Sequence, residues 1–146
     1  MKQHKKILGW REWVALPELG VDALKCKVDT GAKTSALHAY YVEPFEAGGK
    51  PMVRFGLHPR QDDTETQVEC VAEVFDVRTV SDSGGHREER YVIKTPLRIG
   101  GETFTAELTL TNRDAMKFRM LLGRRAMEHR FVVDPDASYL MGESHL

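Results

Sequence analysis

Alternation of apolar and polar positions, rather than a helical period, runs through most of this chain. It is clearest around Gly100-Gly101. Tyr91, Ile93, Thr95, Leu97 and Ile99 alternate with Val92, Lys94, Pro96 and Arg98 before the glycines. After them Phe104, Ala106, Leu108 and Leu110 fall on one face, with Thr103, Thr105, Glu107 and Thr109 opposite. Period-two patterning on both sides of a two-glycine turn predicts a β-hairpin. Pro96 cannot donate to a ladder, so it points to an edge or a bulge.

Weaker segments carry the same signal. Residues 7–16 hold Ile7, Leu8, Trp10, Trp13, Val14 and Leu16 and predict a strand that ends in the turn Pro17-Glu18-Leu19-Gly20. Ala23 to Val28 predicts a second strand, Ala36 to Glu43 a third and Met52 to Leu57 a fourth, with breaks at Pro44 and at Ala47-Gly48-Gly49-Lys50-Pro51. Residues 58–64 are polar and predict an exposed loop. Gln67 to Val80 is a long strand-like run, turned around by Ser81-Asp82-Ser83-Gly84-Gly85. Further on come a short apolar run from Phe118 to Leu122, one or two helical turns over Arg124 to His129, and a strand at Phe131-Val132-Val133. A turn at Asp134-Pro135-Asp136 and a last strand at Tyr139-Leu140-Met141 complete the pattern. Many short strands and one short helix near the end predict an all-β, closed or nearly closed barrel, with residues 1–146 as a single domain.

Composition narrows the class. A chain of 146 residues with 41% apolar content suits one core. Its 21 basic and 22 acidic residues give a net charge of −1, so there is no footprint for nonspecific nucleic-acid binding. Two cysteines, Cys26 and Cys70, make no disulfide framework. No apolar run approaches the ~20 residues that span a bilayer, and the start has no signal-peptide core. These features together predict a reduced, cytoplasmic protein. The histidines and cysteines have no zinc-site spacing, neither His-Glu-x-x-His nor Cys-x-x-Cys, and no glycine-rich phosphate loop is present. No metal and no cofactor is expected. His38, two residues beyond Ala36, could face a site; Glu88, Glu89, Arg90 and Arg125 read as solvated charge.

One stretch does not fit a barrel's ordinary turns. Asp29-Thr30-Gly31-Ala32-Lys33-Thr34-Ser35 follows one apolar run and precedes another. Asp and Gly are disfavoured inside strands, so this is either a plain turn or a loop built to present a carboxylate. Much later, Leu121-Leu122-Gly123-Arg124 places two apolar residues and a glycine just before the short helix. The two segments together resemble the retropepsin-like aspartic proteases, in which an Asp-Thr-Gly loop presents the catalytic carboxylate and an apolar-apolar-Gly segment packs beneath it. The longer stretches 28–38, 89–95, 110–113, 118–124, 133–135 and 138–140 resemble one bacterial family, long labelled ATP-dependent zinc proteases. The resemblance runs from about Trp10 to about Gly142.

That resemblance implies a retropepsin-like barrel and an aspartic-type endopeptidase with Asp29, Thr30 and Gly31 at its catalytic centre. Some members are associated with an ATP-grasp ligase that adds glutamates to a small-subunit ribosomal protein, which suggests a peptide or protein substrate with a glutamate-rich tail. Aspartic proteases use two carboxylates that share a proton. This chain carries one Asp-Thr-Gly, so a homodimer is expected to supply the second. The glycine-rich hairpin at Ser83, Gly84 and Gly85 is a candidate flap. In retroviral relatives the residue four after the catalytic Asp is acidic and pairs with the Arg after the apolar-apolar-Gly segment. Here it is Lys33, facing Arg124. The two either diverge or form an anion site, which makes Lys33, Thr34, Ser35, Arg113 and Arg124 candidate substrate contacts. Two other readings remain: a catalytically silent module that binds acidic tails or regulates the ligase, and a zinc-dependent hydrolase.

Overall fold

A computed structural model describes residues 5–60, 65–81, 84–112 and 118–142. Arg113 and Ser83 lie outside the described residues. The chain runs β1 (Lys6–Leu8), β2 (Arg11–Leu16), a 3-10 turn (Pro17–Leu19), β3 (Val21–Val28), β4 (Ser35–His38), β5 (Tyr41–Ala47), β6 (Lys50–Leu57), β7 (Val68–Glu73), β8 (Asp76–Ser81), β9 (Arg87–Ile99), β10 (Glu102–Thr111), β11 (Met120–Leu122), α1 (Arg124–Met127) and β12 (Phe131–Val133). Strands β10, β4, β11, β3, β2 and β9 are neighbours in that order, and β9 pairs again with β10, which closes the barrel. β8 extends the sheet beyond β9. β5, β6 and β7 form a separate three-stranded antiparallel sheet, and β1 pairs in parallel with β12. Among the described residues no helix is long and apolar enough to cross a membrane.

The alternating hairpin forms as the pattern predicts. Ile99 pairs with Glu102 across Gly100 and Gly101, whose φ angles of 55° and 84° are the two positive values that a type I′ turn requires. Pro96 sits where the second edge of β9 changes partner. That edge pairs with β8 over residues 87–92 and with β2 at Arg98, so the missing N–H breaks no ladder bond between them.

Four predicted elements are corrected, the first three where the chain leaves one sheet for another. Residues 7–16 are two strands split at Gly9-Trp10. There a Cβ on Gly9 would stand 2.2 Å from the Ala137 carbonyl oxygen, and the Trp10 N–H donates to that oxygen at 2.8 Å. The predicted strand 36–43 divides at Ala39-Tyr40, where the Tyr40 N–H donates to Gly56 of β6 and the chain enters the small sheet. The long run 67–80 divides at Val74-Phe75; the Val74 N–H donates to Pro51 and the Phe75 N–H to Val92. Two adjacent apolar residues at that corner mark the change of phase. Finally, 139–141 is not a strand. The N–H groups of Leu140 and Met141 donate to the Glu12 carboxylate at 2.9 and 3.1 Å, and Tyr139 takes a positive φ of 55°.

Glu12 is fully buried, and it also accepts the Gly9 N–H at 2.6 Å. A buried carboxylate is tolerable because three backbone donors replace its water. It thereby ties the end of the chain to β2. Arg11 reinforces the tie, donating to Ser138 Oγ at 3.1 Å and lying over the rings of Trp10 and Tyr139. Opposite Glu12 on β3 lies Cys26, whose thiol burial pushes up to about 12. Cys26 and Cys70 are both free and buried.

Candidate active site

The loop that presents Asp29 spans the gap between β3 and β4, and β11 fills that gap from below. β11 runs parallel to β3 (Leu122 opposite Val28) and antiparallel to β4 (Leu121 opposite Ala36). It ends directly beneath the loop. The Asp29 N–H donates to the Leu122 carbonyl at 2.9 Å, the Arg124 N–H to Ala32 at 2.7 Å and the Arg125 N–H to Lys33 at 3.1 Å. The Gly123 N–H donates to Ser35 Oγ at 2.9 Å, and the Arg124 guanidinium reaches the Thr30 carbonyl at 3.3 Å. Five hydrogen bonds from residues 122–125 and Asp29 therefore fix one short loop.

Gly123 explains why the apolar-apolar-Gly segment needs its glycine. A Cβ there would stand 2.6 Å from the Thr34 carbonyl carbon and 2.8 Å from the Ser35 nitrogen, both backbone atoms. Any side chain would lift the loop. Gly31 acts more locally. Its N–H donates to Asp29 Oδ1 at 3.0 Å, and a Cβ would stand 3.3 Å from that oxygen. Asp29 is half-buried, while Thr30 and Gly31 are exposed at the loop tip. The second carboxylate oxygen of Asp29 makes no hydrogen bond among the described residues, so it is open to a water or to another carboxylate.

The remaining predicted residues divide. Lys33, Thr34, Ser35 and Arg124 all line one cleft of about 530 Å³, together with Thr105, Ala106, Glu107, Arg125, Ala126, Glu128 and Arg130. Ser35 is 2% exposed and its hydroxyl is engaged by Gly123, so it supports the loop from within. Arg124 serves both loop and cleft. Gly84 and Gly85 lie in the β8–β9 hairpin, where Ser81 pairs with Arg87 and Gly85 has φ 83°. His38 does not join the loop. It lies at the far end of β4, 4% exposed, stacked on His58 at 6.4 Å. Among the described residues, no group of three or more His, Cys, Asp or Glu is placed to hold a metal ion.

Sequence reasoning set aside Arg125 and did not single out Arg130 or Glu107. Arg130 lies over the Phe104 ring at 4.2 Å, and Glu107 is paired with Arg78 at 2.8 Å. No local pattern joins these residues. They meet because α1, the turn after it and residues 105–107 of β10 border the same cleft.

The fold is shared with known proteins. A solved structure of a Legionella pneumophila protein of unknown function superposes with a TM-score of 0.77 at 27% identity, covering 94% of this chain and 99% of that one. Proteins named probable alpha-L-glutamate ligase are 47% identical over 143 residues in Shewanella pealeana and 48% identical over 139 residues in Desulfotalea psychrophila. The alignments cover 98% and 95% of this chain but only 31% and 30% of those proteins, so the chain spans about a third of their length. The family model for the retropepsin-like aspartic endopeptidase RimB matches residues 7–144. With its closed barrel and its Asp29 loop seated on Gly123, the chain belongs to the RimB-like family of retropepsin-like aspartic endopeptidases.

Proposed function

We propose that this domain is an aspartic peptidase that works as a homodimer and trims glutamate-rich acidic tails, such as those a glutamate ligase adds to a ribosomal protein. The observation that carries the reading is the Asp29 carboxylate, held at one oxygen by the Gly31 N–H and open at the other, on a loop fixed from beneath by β11. The chain offers one such loop, so the second carboxylate comes from the Asp29 of a second copy. Two carboxylates sharing a site cannot both ionise easily, and one proton stays between them.

The chemistry then follows. The ionised Asp29 takes a proton from water as its oxygen bonds to the scissile carbonyl carbon. The protonated mate gives its proton to the carbonyl oxygen. Collapse of the tetrahedral species breaks the C–N bond: Asp29 gives its proton to the leaving amine while its mate takes one from a hydroxyl of the intermediate as the carbonyl re-forms, which leaves the dyad with one proton again. Thr30 lies at the exposed loop tip, where two copies would meet. The β8–β9 hairpin, with Gly84 and Gly85 at its turn, serves as the flap that closes over the peptide and excludes water. Lys33 and Arg124 supply positive charge on the substrate side, and Arg113 is proposed with them.

The relatives named glutamate ligases support the link to such a ligase, since they carry this domain within a longer protein. The ligase itself supplies ATP chemistry. Two free, buried cysteines fit a reduced cytoplasmic setting. The test is Asp29→Asn against a peptide extended with glutamates, with products read by mass spectrometry. Loss of cleavage supports the reading, and unchanged turnover contradicts it. The basic cleft also fits a second reading, a silent module that binds acidic tails or regulates the ligase. Tight binding of the same peptide by the wild-type protein, without cleavage, would favour it.

A further inference from the structure

We propose that the wall of the cleft formed by Arg125 and Arg130 is an extended subsite for consecutive carboxylate side chains, so that recognition grows with the length of an acidic tail. The inference rests on the tail-trimming reading for its ligand, and it adds residues that the Asp29 loop does not contain. Among the described residues four cations line the cleft: Lys33 from the loop, Arg124 and Arg125 from α1, and Arg130 from the turn before β12. Two carboxylates line it as well. Glu107 is paired with Arg78 at 2.8 Å, a guanidinium it shares with Asp76 at 2.8 Å. Glu128 is exposed on the rim.

The cations differ in what they already do. Arg124 donates to the Thr30 carbonyl. Among the described residues Lys33, Arg125 and Arg130 make no ion pair, and all three are exposed. Arg130 lies over the Phe104 ring, which limits its rotamers before any ligand arrives. Arg125 is fixed at its backbone by the bond to the Lys33 carbonyl. Cations spread over three segments suit a ligand whose charges are spread along a chain better than they suit one compact ion. A planar guanidinium pairs a carboxylate through two parallel bonds. The two carboxylates in the lining disfavour a densely charged phosphate backbone, and among the described residues the lining has no aromatic ring for a base to stack on. An acidic peptide is therefore the ligand class, and the volume of about 530 Å³ holds several side chains.

The test measures binding by fluorescence polarisation, using labelled peptides that end in one, three or six glutamates. Asp29→Asn protein is used so that no cleavage intervenes. Affinity should rise with tail length and fall with added salt. The double change Arg125→Glu/Arg130→Glu should weaken binding of the six-glutamate peptide about tenfold while barely moving the one-glutamate peptide. Arg125→Lys/Arg130→Lys should retain most of the length dependence. Both positions are exposed, and circular dichroism is the check that each variant folds. Equal affinity for all three tails, or an equal loss for long and short ones, overturns the inference, as does tighter binding of a labelled single-stranded oligonucleotide than of the six-glutamate peptide. Length-dependent binding with no cleavage by the wild-type protein would sink the peptidase reading and leave the subsite standing. Cleavage without length dependence would do the reverse.

Discussion

From Asp29 to Ser35 the chain is held by backbone. Its carbonyls and N–H groups meet Leu122, Arg124 and Arg125, the Ser35 hydroxyl accepts the Gly123 N–H, and that glycine lies where no side chain fits. The adjoining cleft is built the other way. Its walls carry long, exposed cations that make no ion pair among the described residues, and buried Ser35 and Ala106 also line it. The first region is specified by close approach, so small changes in shape should be severe and changes in surface charge mild. The second is specified by charge, so the reverse should hold. A reactive carboxylate needs fixed geometry, whereas a tail with several charges can be held by adaptable side chains.

The sharpest break of that contrast is Gly123→Ala. The new Cβ meets backbone on the loop above it, so the variant should lose roughly 3 kcal/mol or more, at the upper end for overpacking, read by chemical denaturation. A loss under about 0.5 kcal/mol would mean that the loop is not seated as described. Ser35→Ala comes next. It strips the buried Gly123 N–H of its acceptor and should cost about 1–3 kcal/mol.

Lys33→Glu, on the cleft side, should change stability by less than about 0.5 kcal/mol. It should weaken binding of a glutamate-rich peptide, read as a raised KM with little change in kcat. A fall in kcat alone would place Lys33 with the chemistry instead.

The smallest effect concerns the charges behind the cleft. Chiefly the Arg78 guanidinium, and then the Val77 N–H, hold the Asp76 carboxyl below its ordinary value of 3.8. A carboxylate with a depressed folded value contributes stability above its unfolded value and loses it as pH falls through the folded one. The melting temperature of the wild type should therefore exceed that of Arg78→Gln at neutral pH. The gap should narrow as pH drops below about 4. A gap independent of pH would show that Arg78 acts through packing.

The two regions also differ in how far they could be read from sequence. The hairpin over Gly100-Gly101 is legible because alternation and turn chemistry are both local. The Asp29 loop and its support at Leu122-Gly123 are legible because each carries a distinctive residue set at the right point in strand context. Sheet changes are less so. The break at Gly9 depends on Ala137, and the missing last strand depends on Glu12, both more than 120 residues distant in sequence. Glu12 itself looks like any polar residue in a half-buried strand. The cleft is the least legible part. Arg125 and Arg130 come to line one cleft with Lys33 only when α1 is seated beside β4, and nothing in the charge pattern marks them out.

The central claim is that one Asp29 is insufficient and that a second copy completes the dyad. Adding increasing amounts of Asp29→Asn protein to a fixed amount of wild type, under exchange conditions, while measuring cleavage of a glutamate-tailed peptide, tests it most directly. The account predicts that activity falls as mixed dimers form, toward the level set by the few remaining wild-type pairs. Activity unchanged by a large excess of the variant, with sedimentation showing that the two proteins do associate, would contradict it.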